Sequence, residues 1–199
     1  MRRLLPCALA LPALILLACS TPTHPTADHG SSSAPPSEPT TTTTTTVSQL
    51  PRPREVELDG LDPCKVLGEE QRAALSLDYT PNAYVDKPFG ESKVCSFRSG
   101  ISGNVTRLAF VTVEGVGVWL SENAQVEPQF TTIGGFPAMV IRTPGLDYVC
   151  NVEVDVAEGQ FLDVMFRDGG NEKKATQDTL CAGAERVAEA ALSGLLEQR

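Results

Sequence analysis

The chain has 199 residues, of which 41% are hydrophobic, and its formal net charge is −9 at pH 7. An acidic chain of this kind is a poor partner for nucleic acid, because phosphate binding requires a basic face. We therefore expect no nucleic-acid partner, and no electrostatic adhesion to anionic lipid headgroups.

The N-terminus has the pattern of a bacterial lipoprotein signal. Two arginines precede an apolar run over residues 4–17, and the small residue Ala18 comes directly before Cys19. Such a segment is an export signal that is removed from the mature protein. We predict a signal peptide at residues 1–18 and a mature chain that begins at lipidated Cys19. An ordinary secretory signal or an uncleaved anchor is the alternative.

Lipid is then the expected membrane anchor, and it must be more than one acyl chain, because a single chain binds only marginally. Loss of Arg2 and Arg3 with the signal takes the formal charge from −9 to −11. The predicted location is the cell membrane, with the protein lipid-anchored and facing outside the cytoplasm.

Residues 19–60 are rich in Thr, Pro and Ser and include an unbroken run of threonines from Thr40 to Thr46. Such a segment buries too little apolar surface to offset the entropy cost of ordering. We predict that, after Cys19, it is a disordered tether. Residues 61–199 have the usual size of one domain.

The start of the domain has helix signals. Asp62 can cap free backbone N–H groups, and Pro63 suits a first helical turn. A helix is predicted over residues 63–75, broken near Gly68 if the first turn is separate. The stretch 80–92 is rich in Pro, Gly and Asn, which indicates an irregular loop.

The middle of the domain has the composition of β-strands, with β-branched and aromatic residues bounded by turn formers. The last two strands should form a hairpin with its turn at 157–159 and the Cys150 face toward the core. The predicted strands are Val94–Arg98, Arg107–Val113, Pro137–Thr143, Tyr148–Val156 and Gln160–Arg167.

Apolar residues at helical spacing predict a final helix from about Asp178 to Glu197, starting as early as Glu172. A strand-rich centre between terminal helices favours the α+β class. We expect an antiparallel sheet of about five strands, with the N-terminal and C-terminal helices packed on it.

The domain contains four cysteines, Cys64, Cys95, Cys150 and Cys181. An even number in an exported chain indicates two disulfides, for which three connectivities are possible. Sequential pairing would close two loops of equal spacing, each contributing about 3.7 kcal/mol on the chain-entropy model. Metal binding or redox catalysis is the rival interpretation, but the chain has no Cys-x-x-Cys and the domain has no histidine.

Several of these segments resemble a known family, the actinobacterial lipoproteins grouped as domain of unknown function 3558 (DUF3558). The resemblance covers nearly the whole domain, together with the signal and the tether. Its motifs are structural, so it implies a family and no functional residues. The segments are Leu61-Asp62-Pro63-Cys64, Cys95-Ser96-Phe97, Gly134-Gly135-Phe136-Pro137-Ala138, Cys150 on a strand, and Cys181-Ala182-Gly183-Ala184.

Few residues stand out as candidate sites. Trp119, the only tryptophan, could be a ligand-stacking platform, but packing is the more common role of a large aromatic side chain. Gly134 and Gly135 could form a phosphate nest, although a turn is the simpler account. Glu153 and Asp155 share a strand face and could bind a cation or act as an acid/base pair; the solvated face of an antiparallel strand is the simpler interpretation.

Catalysis has little support in the sequence. Both histidines, His24 and His29, lie in the tether, so the domain cannot build a Ser-His-Asp triad. We predict that the protein is not an enzyme and uses no cofactor or metal. The expected function is binding of an unknown envelope protein or small ligand. The alternative is an envelope hydrolase that uses carboxylates or a Ser-Lys pair instead of histidine.

Overall fold

A computed structural model of the protein describes residues 50–198. The signal peptide expected at 1–18, the lipidated Cys19 and most of the tether expected over 19–60 lie outside the described residues. Within 50–198, no helix is long and apolar enough to cross a membrane.

The centre of the domain is one antiparallel sheet of seven strands, two more than the five that the sequence predicted. The strand order across the sheet is β1-β2-β3-β7-β6-β5-β4. The strands are β1 (Asn82–Asp86), β2 (Ser92–Arg98), β3 (Val105–Val111), β4 (Glu127–Ile133), β5 (Phe136–Arg142), β6 (Val149–Ala157) and β7 (Gln160–Arg167).

The five predicted strands are all present, as β2, β3, β5, β6 and β7. The clearest prediction, the hairpin formed by β6 and β7, is confirmed, with Val152 opposite Val164. Gly159 in its turn has a positive φ of 70°, which glycine adopts at little cost. Cys150 faces the main core, as its alternation with polar neighbours predicted.

The two strands that the sequence did not predict are β1 and β4, which lie at the two edges of the sheet. The prediction of an irregular loop over 80–92 was wrong for residues 82–86, which form β1. All of its residues except Asp86 are exposed. Strand β4 is also largely exposed and contains Pro128, a residue tolerated at sheet edges. Such strands lack the alternation between buried and exposed positions that marks a half-buried strand.

Strands β4 and β5 are joined by a two-residue turn at Gly134 and Gly135. Both glycines have a positive φ, 54° and 84°. Tight hairpin turns of this kind need a positive φ at both central positions, which favours Gly-Gly. The turn is therefore confirmed as the role of this pair.

Helix α2 (Gln177–Glu197) packs on one face of the sheet, over β6 and β7. Thr176 caps its N-terminus by accepting a hydrogen bond from the Thr179 backbone N–H. The main core lies between α2 and the sheet. Val56 and Leu58 belong to this core and are buried, although they precede the boundary expected at residue 61.

The predicted helix over 63–75 is replaced by two shorter pieces. Pro63–Lys65 forms a 3-10 turn, capped by Asp62, which accepts a 2.9 Å hydrogen bond from the Cys64 backbone N–H. After Gly68, helix α1 (Glu69–Ala74) follows, and none of its residues is buried. The break near Gly68 was predicted. The 3-10 turn before it contacts β2, and Val66 and Leu67 are buried in the main core.

Two disulfides join the cysteines in sequential order, Cys64 to Cys95 and Cys150 to Cys181. The first ties the 3-10 turn to β2, and the second ties β6 to the N-terminal part of α2. Of the three possible connectivities, the structure therefore has the sequential one.

The face of the sheet opposite α2 carries a second, smaller apolar layer. A 3-10 turn at Val116–Leu120, here named the tryptophan turn, packs its Val118, Trp119 and Leu120 side chains against this layer. The buried residues of the layer are Val111, Val116, Met139, Ile141 and Phe161.

Candidate functional site beneath the tryptophan turn

The acidic residues of β6 are not on a solvated face, so this interpretation of Glu153 and Asp155 was wrong. The Glu153 side chain has 0% exposure, and Asp155 is also buried. Their strand face is opposite α2, and the tryptophan turn covers part of it. Alternation along β6 correctly placed both residues on one face, but it could not show that this face is covered.

Glu153 belongs to a group of polar side chains on neighbouring strands, here named the ionic cluster: Asp86, Arg107, Asn151, Glu153 and Asp163. The guanidinium of Arg107 on β3 donates to Asp86 over 2.7 Å and also to Asp163. The Asn151 amide donates to the other oxygen of Asp163 over 2.8 Å. Asp163 is thus bound on both carboxylate oxygens, which compensates its complete burial.

Glu153 lies opposite Asp163 on the adjacent strand and lacks such partners. Within the described part of the chain, neither of its carboxyl oxygens has a hydrogen-bond partner, and neither do Trp119 Nε1 and Arg107 Nε. The Asn151 amide and the Trp119 indole favour the ionised form of Glu153, although neither reaches hydrogen-bond geometry with it.

The environment of Glu153 favours its neutral form. Burial raises its pKa well above the ordinary value of 4.5, and the negative charge of Asp163 adds to this effect. Burial also raises the pKa of Asp163, but Arg107 and Asn151 both bind its ionised form. We conclude that the pair holds a proton on Glu153 and a charge on Asp163.

Trp119 is half-buried and packs beside Phe89, with 6.0 Å between the ring centroids. Phe89 in turn lies under the Arg107 guanidinium, 5.8 Å from its centre. The described contacts place Trp119 in the cover of the ionic cluster and its apolar surroundings. They correspond to the packing role that the sequence analysis weighed against a ligand-stacking platform.

The other acids of this region have separate partners. Asp155 pairs with Arg52 over 2.8 Å, and burial is the main cause that raises the pKa of Asp155. Asp168 accepts hydrogen bonds from the backbone N–H groups of Asn171, Gly170 and Ala175, and these bonds lower its pKa. Asp168 therefore organises the loop that leads to α2.

The site is suited to holding a proton on Glu153. The carboxylates of Asp86 and Asp163 are bound by Arg107, and Asp163 also by Asn151, whereas Glu153 is buried away from water. Among residues 50–198, no group of three or more His, Cys, Asp or Glu side chains is arranged to hold a metal ion. The ionic cluster therefore combines the Glu153 carboxyl group, which has no hydrogen-bond partner among the described residues, with the ion pair between Arg107 on β3 and Asp163 on β7.

A separate open groove of about 320 Å³ lies at the β1 edge of the sheet. Tyr84 and Val85 are 41% and 55% exposed there, although both side chains are large and apolar. Residues Asp62, Pro63, Ala83, Tyr84, Val85, Lys93 and Val94 line the groove.

No pattern in the sequence joined Arg107, Asp86 and Asp163 in a common site. Asp163 had one usable signal, because the predicted β6–β7 hairpin with its turn at 157–159 places it opposite Glu153. Arg107 and Asp86 come from β3 and β1, whose positions depend on the order of the strands in the sheet. Only that order brings these two residues into the cluster.

Comparison with known proteins identifies a family and no individual relative. None of the curated proteins and none of the solved structures matches this chain. A family model described as "Protein of unknown function (DUF3558)" matches residues 14–193, most of the sequence, and the chain therefore belongs to that family.

Proposed function

We propose that this protein is an actinobacterial lipoprotein, anchored in the cell membrane by lipid on Cys19 and facing outside the cytoplasm, where its domain binds an envelope protein or a small ligand. The sequence Leu16-Leu17-Ala18-Cys19 after a basic and apolar start supports the anchor. The two disulfides support an oxidising compartment outside the cytoplasm, because such bonds are rare in reducing ones.

The observation that carries the binding role is the exposed β1 edge of the sheet. Isolated exposed apolar residues are common, but Tyr84 and Val85 are successive exposed residues of an edge strand, and both line the groove. Edge strands are also the part of a sheet that can add a further strand from a partner. We therefore place the binding surface at β1 and its groove.

The hydrolase alternative is favoured by one observation, the position of Glu153 directly opposite Asp163. Two facing carboxyl groups are the minimum that such a mechanism requires. Both side chains have 0% exposure, however, so substrate has no access to them in this conformation. Binding consequently ranks before hydrolysis.

The anchor is tested by replacing Cys19 with Ser and feeding cells a labelled fatty acid. We expect the variant to lose the label and to leave the membrane fraction after export. Cys7→Ser is the matched control, because Cys7 lies within the predicted signal peptide and should leave with it. Full labelling of the Cys19 variant would refute lipidation at this position.

The binding surface is tested by placing a photo-crosslinking side chain at Val85 in intact cells. A discrete adduct is expected there and not at Arg186, an exposed position on α2. Equal labelling at both positions, or labelling only at Arg186, would remove β1 as the binding surface.

A further inference from the structure

We propose that Glu153 is a proton-dependent switch for the tryptophan turn: the neutral acid allows the turn to close over the sheet, and the anion releases it. This regulation does not depend on the identity of a binding partner. It follows from the burial of Glu153, from its missing hydrogen bonds and from the way in which the turn is held.

The first step is the cost of an anion at this position. Glu153 has 0% exposure, and both of its carboxyl oxygens are without a hydrogen-bond partner in the described part of the chain. A buried charge without partners is strongly unfavourable, so the group must either bind a proton or regain contact with water. A closed turn is compatible with a protonated Glu153, and an open turn returns an ionised Glu153 to water.

Of the charged groups around Glu153, Asp163 increases this cost, and Arg107 reduces it by a smaller amount. Asp163 on β7 faces it directly and is negatively charged, while Arg107 on β3 is the only cation of the ionic cluster. Arg107 is already shared between Asp163 and Asp86, with the Tyr84 side chain of β1 also acting on it electrostatically. An ionised Glu153 would give the cluster three carboxylates and one guanidinium.

The second step is the weak attachment of the tryptophan turn. Its described backbone hydrogen bonds are local: the Val118 N–H donates to Gly115, and the Ser121 N–H donates to Val118. The turn is joined to the sheet by side-chain packing, and its buried Trp119 Nε1 finds no acceptor in residues 50–198. Opening therefore breaks no described backbone hydrogen bond to the sheet.

The third step is what opening would expose. The layer beneath the turn is apolar and includes Met139, Ile141 and Phe161. A released turn would present this layer and the ionic cluster to solvent together. The switch would thus convert a change in pH into exposure of a new apolar surface.

The test is amide hydrogen exchange of residues 116–120, measured by mass spectrometry from pH 4 to pH 9. Exchange is base-catalysed, so the logarithm of its rate normally rises with a slope of about 1 per pH unit. In the pH range where Glu153 is protonated in the closed state and ionised in the open state, the equilibrium constant for opening rises about tenfold per pH unit. The expected slope for the wild-type turn is therefore about 2 above pH 4.5. Residues 50–198 contain no histidine, so titration of a histidine side chain does not contribute to the slope in this pH range.

Glu153→Gln should return the slope of the turn to about 1, because glutamine does not titrate. Glu158→Gln makes the same chemical change at an exposed glutamate of the β6–β7 turn, and its slope should equal that of the wild type. A wild-type slope of about 1 throughout the range would overturn the proposal without any variant. The proposal would also fail if Glu153→Gln kept the steeper slope.

Discussion

Gly194 of α2 approaches the backbone of Val66 so closely that a Cβ atom at position 194 would lie 1.8 Å from the Val66 carbonyl oxygen. The contact joins α2 to the segment between the 3-10 turn and α1. A glycine within a helix usually costs about 1 kcal/mol relative to alanine. The close approach explains why glycine is nevertheless required here.

Gly194→Ala should therefore destabilise the protein despite its higher helix propensity. Because the atom that it would strike belongs to the backbone, we expect a loss of about 1–3 kcal/mol in the free energy of unfolding. Denaturant titration measures this loss. Ser193→Ala, at the exposed neighbouring position, should change stability by less than about 0.5 kcal/mol. A Gly194 variant more stable than the wild type would show that α2 lies farther from Val66.

The Cys150–Cys181 disulfide should be an important constraint on α2. On the chain-entropy model, a loop of its 31-residue separation contributes about 3.7 kcal/mol. Replacing both cysteines with alanine should lower the free energy of unfolding by roughly this amount, as measured by denaturant titration. The Cys64–Cys95 bond closes a loop of the same length, so its double alanine variant is the matched comparison.

Peptide mapping without reduction provides an independent check of the pairing. It should recover the β6 peptide joined to the start of α2, and the peptide of Cys64 joined to that of Cys95. A link between Cys64 and either of the two later cysteines would contradict the fold itself.

The local sequence predicts best those elements that are buried on one face. The β6–β7 hairpin was predictable because Val152 and Val154 alternate with polar residues, and α2 because its apolar positions recur with the helical period. The edge strands β1 and β4 have most side chains exposed. Their strand conformation depends on hydrogen bonds to β2 and β5, which short-range patterns do not describe.

Long-range contacts, which short-range patterns do not describe, also determine the candidate site. Period-two alternation places Glu153 and Asp155 on a common face of β6, but the polarity of a face does not show whether it is solvated. The cover comes from Val116–Leu120, more than 30 residues earlier in the chain. The Arg107 partner comes from β3, which reaches this position because β7 pairs with both β3 and β6.

Removing Arg107 should destabilise the protein strongly at neutral pH. Arg107→Met would leave Asp163 fully buried, with only Asn151 bound to it, and Asp86 without its partner. Breaking a buried ion pair from one side typically costs about 3–5 kcal/mol. Urea denaturation at pH 7 should show a loss of this size, whereas Arg142→Met, which removes a surface pair with exposed Asp178, should cost about 0–1 kcal/mol.

The loss caused by Arg107→Met should shrink in acid. Without the guanidinium, the folded state of the variant favours a protonated Asp163, so its stability deficit grows as pH rises and declines as pH falls. Repeating the denaturation at pH 4 checks this sign. A deficit that is the same at pH 4 and pH 7 would mean that packing of the arginine side chain, and not its charge, is what the protein loses.

Glu153→Gln should stabilise the folded protein at neutral pH relative to the wild type. The pKa of Glu153 is raised in the folded state and returns to about its ordinary value of 4.5 on unfolding. The folded wild type therefore binds more protons than the unfolded chain above pH 4.5, and its free energy of unfolding falls as pH rises through this window.

Glutamine mimics the neutral acid at every pH. The stability difference between variant and wild type should thus be small at pH 4 and increase toward pH 8, as measured by denaturant titration. Glu158→Gln, which alters an exposed side chain, should show no comparable increase, and a constant difference for Glu153→Gln would contradict a proton on this residue.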